Sequence, residues 1–303
     1  MKKVASVLFI IIIGAVLYSF GISTFENAKV NSLIADFKSR GVLLTDEPTA
    51  VNNTLRYYYE VESDSYLDQE TFLINESTDE FYLGNVGDIV VTRESPFPNI
   101  PIIHQFISYY FGGHAAMVTD VNKVVEIAGF PSGDEKISDY IFHKVQYDDD
   151  GNPNHDFKGA TIFKTSNYFL KNTRKENDPA YKRYGEYYRK NLITLRVNKS
   201  SEIERKEAVL NLEELIDKNV IYNFMFFLDT KEKYYCTDIM PRIYDTIKDD
   251  NNNSKYNLNN DGFITSVNDL ILSKDTIITN YFEVDKNGIE HIYYLINSKN
   301  QDN

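Results

Sequence analysis

The longest apolar run of the chain, Val4 to Ile22 (VASVLFIIIIGAVLYSFGI), carries no charge and follows Lys2 and Lys3. At ~1.5 Å per residue, such a helix comes close to a bilayer core of ~30 Å. The positive-inside bias then predicts an N-terminal transmembrane helix over residues 1–23 with everything from about Thr24 onward outside the cytoplasm. A cleaved signal segment is the alternative, since Ser19 and Gly21 form a small-x-small pair. Either reading makes the body extracytoplasmic, anchored or secreted, with the membrane as a partner through the N-terminal helix. Beyond it, Phe25, Val30, Leu33, Ile34 and Phe37 recur at helical spacing, which predicts a short amphipathic helix over Thr24–Arg40, stopped by Gly41. The acidic, Tyr-rich stretch 42–80 reads as a juxtamembrane connector or a peripheral element.

From residue 81 the periodicity changes. Gly87-Asp88 turns into the β-branched run Ile89-Val90-Val91-Thr92-Arg93, a strand. Ile102 to Phe111 reads as a short helix, broken by Gly112-Gly113 just before His114. HAAMVTD and VVEIAG, joined at Val121-Asn122-Lys123, read as a hairpin whose first strand opens on His114 and whose second holds Glu126. Residues 132–198 are polar, with Thr161–Lys164 as a plausible strand, and read as an insertion. Ser200–Lys218 places Ile203, Ala208, Leu212, Leu215 and Ile216 along one side, with Ser201 and Glu204 as a capping box. Cys236 opens CTDIMPRIYDTI, a helical pattern that Pro241 interrupts or kinks. The expected domains are therefore 1–23, 24–80 and a body over 81–303.

Composition narrows the chemistry. Hydrophobic residues make up 42% of the 303 and aromatics 14%, enough apolar surface to offset chain entropy and fold. With 32 basic against 45 acidic residues, a net of -13, no basic surplus exists to replace phosphate counterions, which excludes nucleic acid as a partner. The abundance of Asn, Lys, Ile and Tyr suits an AT-rich bacterial genome. The lone cysteine excludes an intramolecular disulfide and any cysteine-rich metal site. If the thiol has chemistry, it acts alone or with histidine.

A thiol attacks carbonyls as thiolate, and a helix N-terminus or a neighbouring imidazolium lowers its pKa. Cys236 at the head of a predicted helix has the first, and His114 can supply the second. Glu126, on the adjoining strand, lies within reach of His114 because cross-strand partners approach to about 5 Å. His104, His143, His155 and His291 compete for the base role in poorer contexts.

GDIVVTR, GGHAAMVTD, VVEIAG and IYNFMFFLDTKEKYYCTDIM, in that order, resemble the permuted NlpC/P60 group of papain-like proteins, in particular its YiiX/YebB-like branch, over roughly residues 81–285. In that group the histidine strand precedes the cysteine helix, as here. The resemblance implies an α+β, circularly permuted papain-like fold: an antiparallel sheet packed against the cysteine helix. It implies Cys236 as nucleophile, His114 as general base, Glu126 as third polar residue, and Tyr222 and Asn223 as a wall of the substrate site, with no cofactor and no metal. Thr237-Asp238 stands where the group usually has Ser-Glu, Pro241 inside the helix is unusual for it, and the stretch between His114 and Cys236 is long.

The function so implied is an extracytoplasmic thiol hydrolase, a cysteine peptidase or amidase acting on cell-wall peptides. A lipid-directed acyltransferase or thioesterase-like enzyme acting on an acyl substrate is the alternative, and an inactive binding domain on the same fold is the third reading. Asn257, Asn259, Asp261 and Gly262 resemble the start of a calcium loop, yet position twelve is Asn268 rather than Glu. The same stretch also suits a turn following the cysteine helix. Asp148 to Asn152 reads as a solvated turn, and the pairs and triplets of tyrosine at 57–59, 187–188 and 234–235 as half-buried packing.

Overall fold

The computed structural model of this chain describes residues 2–51, 54–75, 80–95, 100–131, 134–143, 146–150, 153–154, 157, 159–166, 176–177, 181, 189–226, 232–259 and 264–298. Its elements run α1 (Lys2–Ser39), β1 (Val42–Leu43), β2 (Thr49–Val51), β3 (Thr54–Glu62), β4 (Phe72–Asn75), β5 (Glu80–Leu83), β6 (Ile89–Thr92) and α2 (Pro101–Tyr110). Then come β7 (His114–Asp120), β8 (Lys123–Ile127), α3 (Ile137–Phe142), β9 (Gln146–Tyr147), β10 (Pro153–Asn154), β11 (Ile162–Ser166) and β12 (Asn191–Val197). The chain closes with α4 (Glu202–Asp217), β13 (Ile221–Tyr222), β14 (Lys233–Tyr234), α5 (Ile239–Tyr244), α6 (Val267–Leu272), β15 (Thr276–Val284) and β16 (Glu290–Ile296).

One sheet of ten strands organises the body, in the order β1-β3-β16-β15-β12-β6-β7-β8-β11 with β2 on β3. It is mixed rather than purely antiparallel, because β3 runs parallel to β16. The α+β class is therefore as expected. Strand alternation sorts the buried side chains onto two faces. Ile89, Val91, Ala115, Met117, Ile193 and Leu195 join the core that the helices cover, and Val90, Ala116, Val118 and Leu192 belong to a second cluster on strand residues. Helices α4, α5 and α6 supply Ala208, Leu212, Met240, Ile243, Val267 and Leu270 to the first core.

Among the described residues, no helix is long and apolar enough to cross a membrane, which corrects the expected N-terminal transmembrane helix. The apolar run does not end at a boundary. It continues without a break into the amphipathic stretch, so that α1 is one helix of 38 residues. Its sequence turns polar at Ser19, Ser23, Thr24, Glu26 and Asn27. That second half docks on the body: the Asn27 amide donates to the Tyr109 carbonyl (2.9 Å), and Val30, Ile34 and Phe37 are buried.

Other elements depart from the sequence reading. Residues 54–62 form a strand near the edge of the sheet: β3 is hydrogen-bonded along its length to β16, with only the short β1 and β2 beyond it. Within the stretch read as an insertion, β12 lies at the centre of the sheet between β6 and β15. In α4 the buried face is Arg205, Ala208, Val209, Leu212 and Leu215, whereas Ile203 is 77% exposed. The Ser201–Glu204 capping box is present, Ser201 Oγ accepting the Glu204 N–H (3.3 Å).

A buried ionic network ties α4 to the sheet. Arg196 of β12 makes a two-pronged contact with Asp88 (both 2.9 Å), and Arg205 of α4 donates to Asp68 (2.9 Å) and to the Gln69 side chain (2.9 Å). Gly87 makes this packing possible, since a Cβ there would meet the Arg205 Cβ at 2.5 Å.

Candidate active site

Pairing of β6 with β7 places Thr92 opposite His114, and the β7–β8 hairpin turns at Asn122, whose φ of 54° is the left-handed conformation a tight turn requires. Beyond a bulge, Met117 faces Val125, so Ala116 and Glu126 lie close across the ladder and His114 is the next residue on the same side. The His114 Nε2 is hydrogen-bonded to Glu126 Oε2. Both groups are withdrawn from water, their side chains being 13% and 4% exposed.

Gly113 sets the approach of this strand. Its N–H donates to the Thr92 carbonyl (2.9 Å), and a Cβ on it would fall 1.9 Å from the Glu94 carbonyl oxygen. Only glycine allows the α2–β7 connection to pass so close to the end of β6.

The thiol of Cys236 is hydrogen-bonded to the His114 side chain. An imidazole has two ring nitrogens; with Nε2 on Glu126, Nδ1 is the one left for sulfur. The thiol also receives a backbone hydrogen bond from Ala115 and the hydroxyl of Tyr222. Burial pushes a thiol up, but here the His114 charge and these donors outweigh it, and the Cys236 pKa falls below its ordinary value. For His114 burial acts to lower the pKa, and the charge and hydrogen bonds of Cys236 and Glu126 overcome it, pushing the imidazole up to about 9. The two shifts are halves of one interaction. Both shifts favour a thiolate–imidazolium pair over the neutral thiol and imidazole.

The helix plays a smaller part than its sequence suggested. α5 has six residues and starts at Ile239, three positions beyond Cys236, so its dipole contributes little at the sulfur. Pro241 sits at the third position of this helix, within its first turn, where proline is tolerated better than in a helix interior.

Tyr222 is brought to the site with a more direct role than that of a wall. Burial and the neighbouring Cys236 charge raise its pKa, so the hydroxyl stays protonated and donates to sulfur. Gly129 leaves room for the ring, since a Cβ there would stand 2.8 Å from it. Asn223 is buried beside it, but its side-chain oxygen takes the Met225 N–H (3.0 Å) and so shapes the turn. The contacts of Ala115 and Tyr222 with sulfur had no signal in the sequence; both depend on distant segments meeting.

The other histidines lie elsewhere. His104 Nδ1 bonds the Ser95 hydroxyl (2.9 Å), His291 Nδ1 the Tyr59 hydroxyl (3.0 Å), and the His143 ring stands edge-on to Phe157. His155 and the tyrosines at 187–188 fall outside the described residues. So do Asp261 and Gly262 of the calcium-like stretch. The Asn257 side-chain oxygen accepts the Asn259 N–H (3.1 Å), the Asn259 side-chain amide donates to the Thr265 hydroxyl (2.7 Å), and Asn268 is buried in α6. Among the described residues no group of three or more His, Cys, Asp or Glu side chains could hold a metal ion.

Comparison of the chain with protein-family models, with curated proteins and with solved structures finds no match.

Proposed function

We propose that this chain is a thiol hydrolase that opens an amide or ester through an acyl-enzyme on Cys236. One observation carries the reading: the only sulfur nucleophile of the chain is hydrogen-bonded to an imidazole whose other nitrogen is held by a buried carboxylate. Such a set has the nucleophile, the acid–base group and the orienter that acyl transfer needs. The thiolate attacks the carbonyl carbon, and the His114 imidazolium hands its proton to the departing amine or alcohol, leaving a thioester and a neutral ring. That ring then takes a proton from water as the hydroxyl adds to the thioester, and breaking the C–S bond restores the ion pair. Glu126 holds the ring orientation and the imidazolium charge throughout. The Cys236 N–H, which has no acceptor among the described residues, is free to donate to the oxyanion. The scheme needs no cofactor. Its agreement with the order of motifs in the permuted NlpC/P60 group supports peptide stems of cell-wall material as the substrate class.

A specific feature supports a second substrate class. α2 (PIIHQFISYY) has no Lys, Arg, Asp or Glu and buries no residue, and its Ile102 and Phe106 are 82% and 54% exposed. This apolar helix leads within a few residues to His114 and suits an acyl chain on an ester substrate.

The test is mass analysis of the purified chain incubated separately with wall peptides and with acyl esters. A covalent acyl adduct on Cys236 is expected with one class. Cys236→Ser, folded by circular dichroism, is expected to lose activity by ~10² or more. A Cys236 inert to a thiol probe at neutral pH, with no turnover of either class, overturns the proposal in favour of a binding domain.

A further inference from the structure

On the covered face of the sheet a pocket of about 610 Å³ lies between the second half of α1 and the strands β12, β15 and β16, with Arg93, just past the end of β6, in its wall. None of Cys236, His114, Glu126 and Tyr222 lines it. Among the described residues that line it, Lys38 and Arg93 are cationic and none is acidic. Lys38 is already paired with Glu283. Arg93 is not paired with any acid among the described residues: its two terminal nitrogens donate to the side-chain oxygens of Asn31 (2.7 Å) and Asn27 (2.6 Å). Those amides are neutral and return no charge.

Arg196 makes the contrast. It is more deeply buried, yet Asp88 and Asp68 compensate it and raise its pKa. Burial pulls the Arg93 guanidinium below its ordinary value, with only the weak influence of Tyr281 against it. Arg93 is half-buried, and a guanidinium partly withdrawn from water without a counter-charge bears part of the burial cost, which an incoming anion removes. Around it stand further polar groups, the Asn191 amide and the Tyr281 and Tyr293 rings, with Ile34 and Ile193 as an apolar wall. The volume falls within the range of small-molecule sites and exceeds what a bare ion requires.

We propose that this pocket binds a small organic anion, its carboxylate or phosphate seated on Arg93 and its body against Ile34, Ile193 and Tyr293. The inference stands whether or not the thiol site is a hydrolase.

The experiment is calorimetric titration of the full chain at constant ionic strength. Phenyl phosphate, benzoate and inorganic phosphate are used in separate arms. Saturable binding of phenyl phosphate or benzoate is expected, tighter than that of inorganic phosphate, unchanged in Cys236→Ser and weakened at least ~tenfold in Arg93→Gln. Ala35→Phe, on the exposed rim of the pocket, fills it while leaving Arg93 in place and is expected to abolish binding. Absence of saturable binding overturns the proposal, as does binding that Arg93→Gln leaves untouched. Should Arg93→Gln fail to fold because Arg93 docks α1, Ala35→Phe decides: undiminished binding there overturns the site.

Discussion

At the residue scale the site is a matter of who supplies charge to sulfur. Cys236 gains His114, the Ala115 N–H and the Tyr222 hydroxyl, and its pKa falls although burial acts to raise it. His114 is pushed up to about 9. The ion pair thus dominates in the window between the lowered thiol value and pH 9. Below it the thiolate is protonated and alkylation slows. Above pH 9 His114 loses its proton, the leaving group lacks a donor, and hydrolysis falls while alkylation continues. Iodoacetamide alkylation followed against pH is expected to begin below the ~8.5 of a free thiol. His114→Ala is expected to move that onset upward, and Tyr222→Phe, which removes one donor to a charged acceptor, to slow the reaction at pH 7 by about 3- to 10-fold. A wild-type profile centred on the free-thiol value would refute the ion pair.

At the element scale the hairpin β7–β8 does most of the positioning. Its alternation was plain in HAAMVTD and VVEIAG, and the tight turn at Asn122 lies where it was expected. The connection into β7 is less tolerant than it looks. Gly113→Ala would drive a Cβ onto the Glu94 carbonyl, so the backbone of β7 must shift. The expected loss is about 1–3 kcal/mol by denaturant unfolding, together with slower alkylation of Cys236 as His114 moves off the sulfur. Unchanged stability and reactivity would show that the connection relaxes freely. β12 escaped the sequence reading although NLITLRV alternates well, because the polar stretch before it made the whole region read as surface. The capping box of α4 was legible because it is local. Ala208, Leu212 and Leu215 of its expected face are buried, but Ile203 points to solvent while Arg205, a charged residue that no periodicity rule puts inside, is fully buried.

For the whole molecule, the sheet is what unites the two ends of the chain. β3, from the N-terminal quarter, pairs with β16 at the C-terminus, and α1 closes over the same face. The Asp88–Arg196 contact, buried on both sides, and the Asp68–Arg205 contact, whose arginine is buried and whose carboxylate stays partly in water, then join the start of β6, β12 and α4. Buried pairs add little net stability when intact, but removing one member strands the other. Asp88→Asn is accordingly expected to destabilise the fold by about 3–5 kcal/mol in urea unfolding, with Arg196 left without its full counter-charge. A loss under 1 kcal/mol would mean that Asp68 takes over. This network sits apart from Cys236, so the folded fraction should keep its thiol reactivity.

The sequence by itself determined what depends on neighbours a few residues apart: the strands with period two, the helix caps, the turn glycines, and the candidacy of Cys236, His114 and Glu126 from residue type and order. It also misled where a local property was taken for a global one, as in the apolar run of α1, which continues into a polar helix docked on the body. Only the tertiary structure decided which groups meet. The Tyr222 hydroxyl and the Ala115 N–H reach the sulfur, Arg205 turns inward, and Arg93 is held by the Asn27 and Asn31 amides. Each of these results from segments far apart in the chain closing on one another, so that the sulfur meets a cation and donors, Arg205 meets Asp68, and Arg93 meets two neutral amide oxygens.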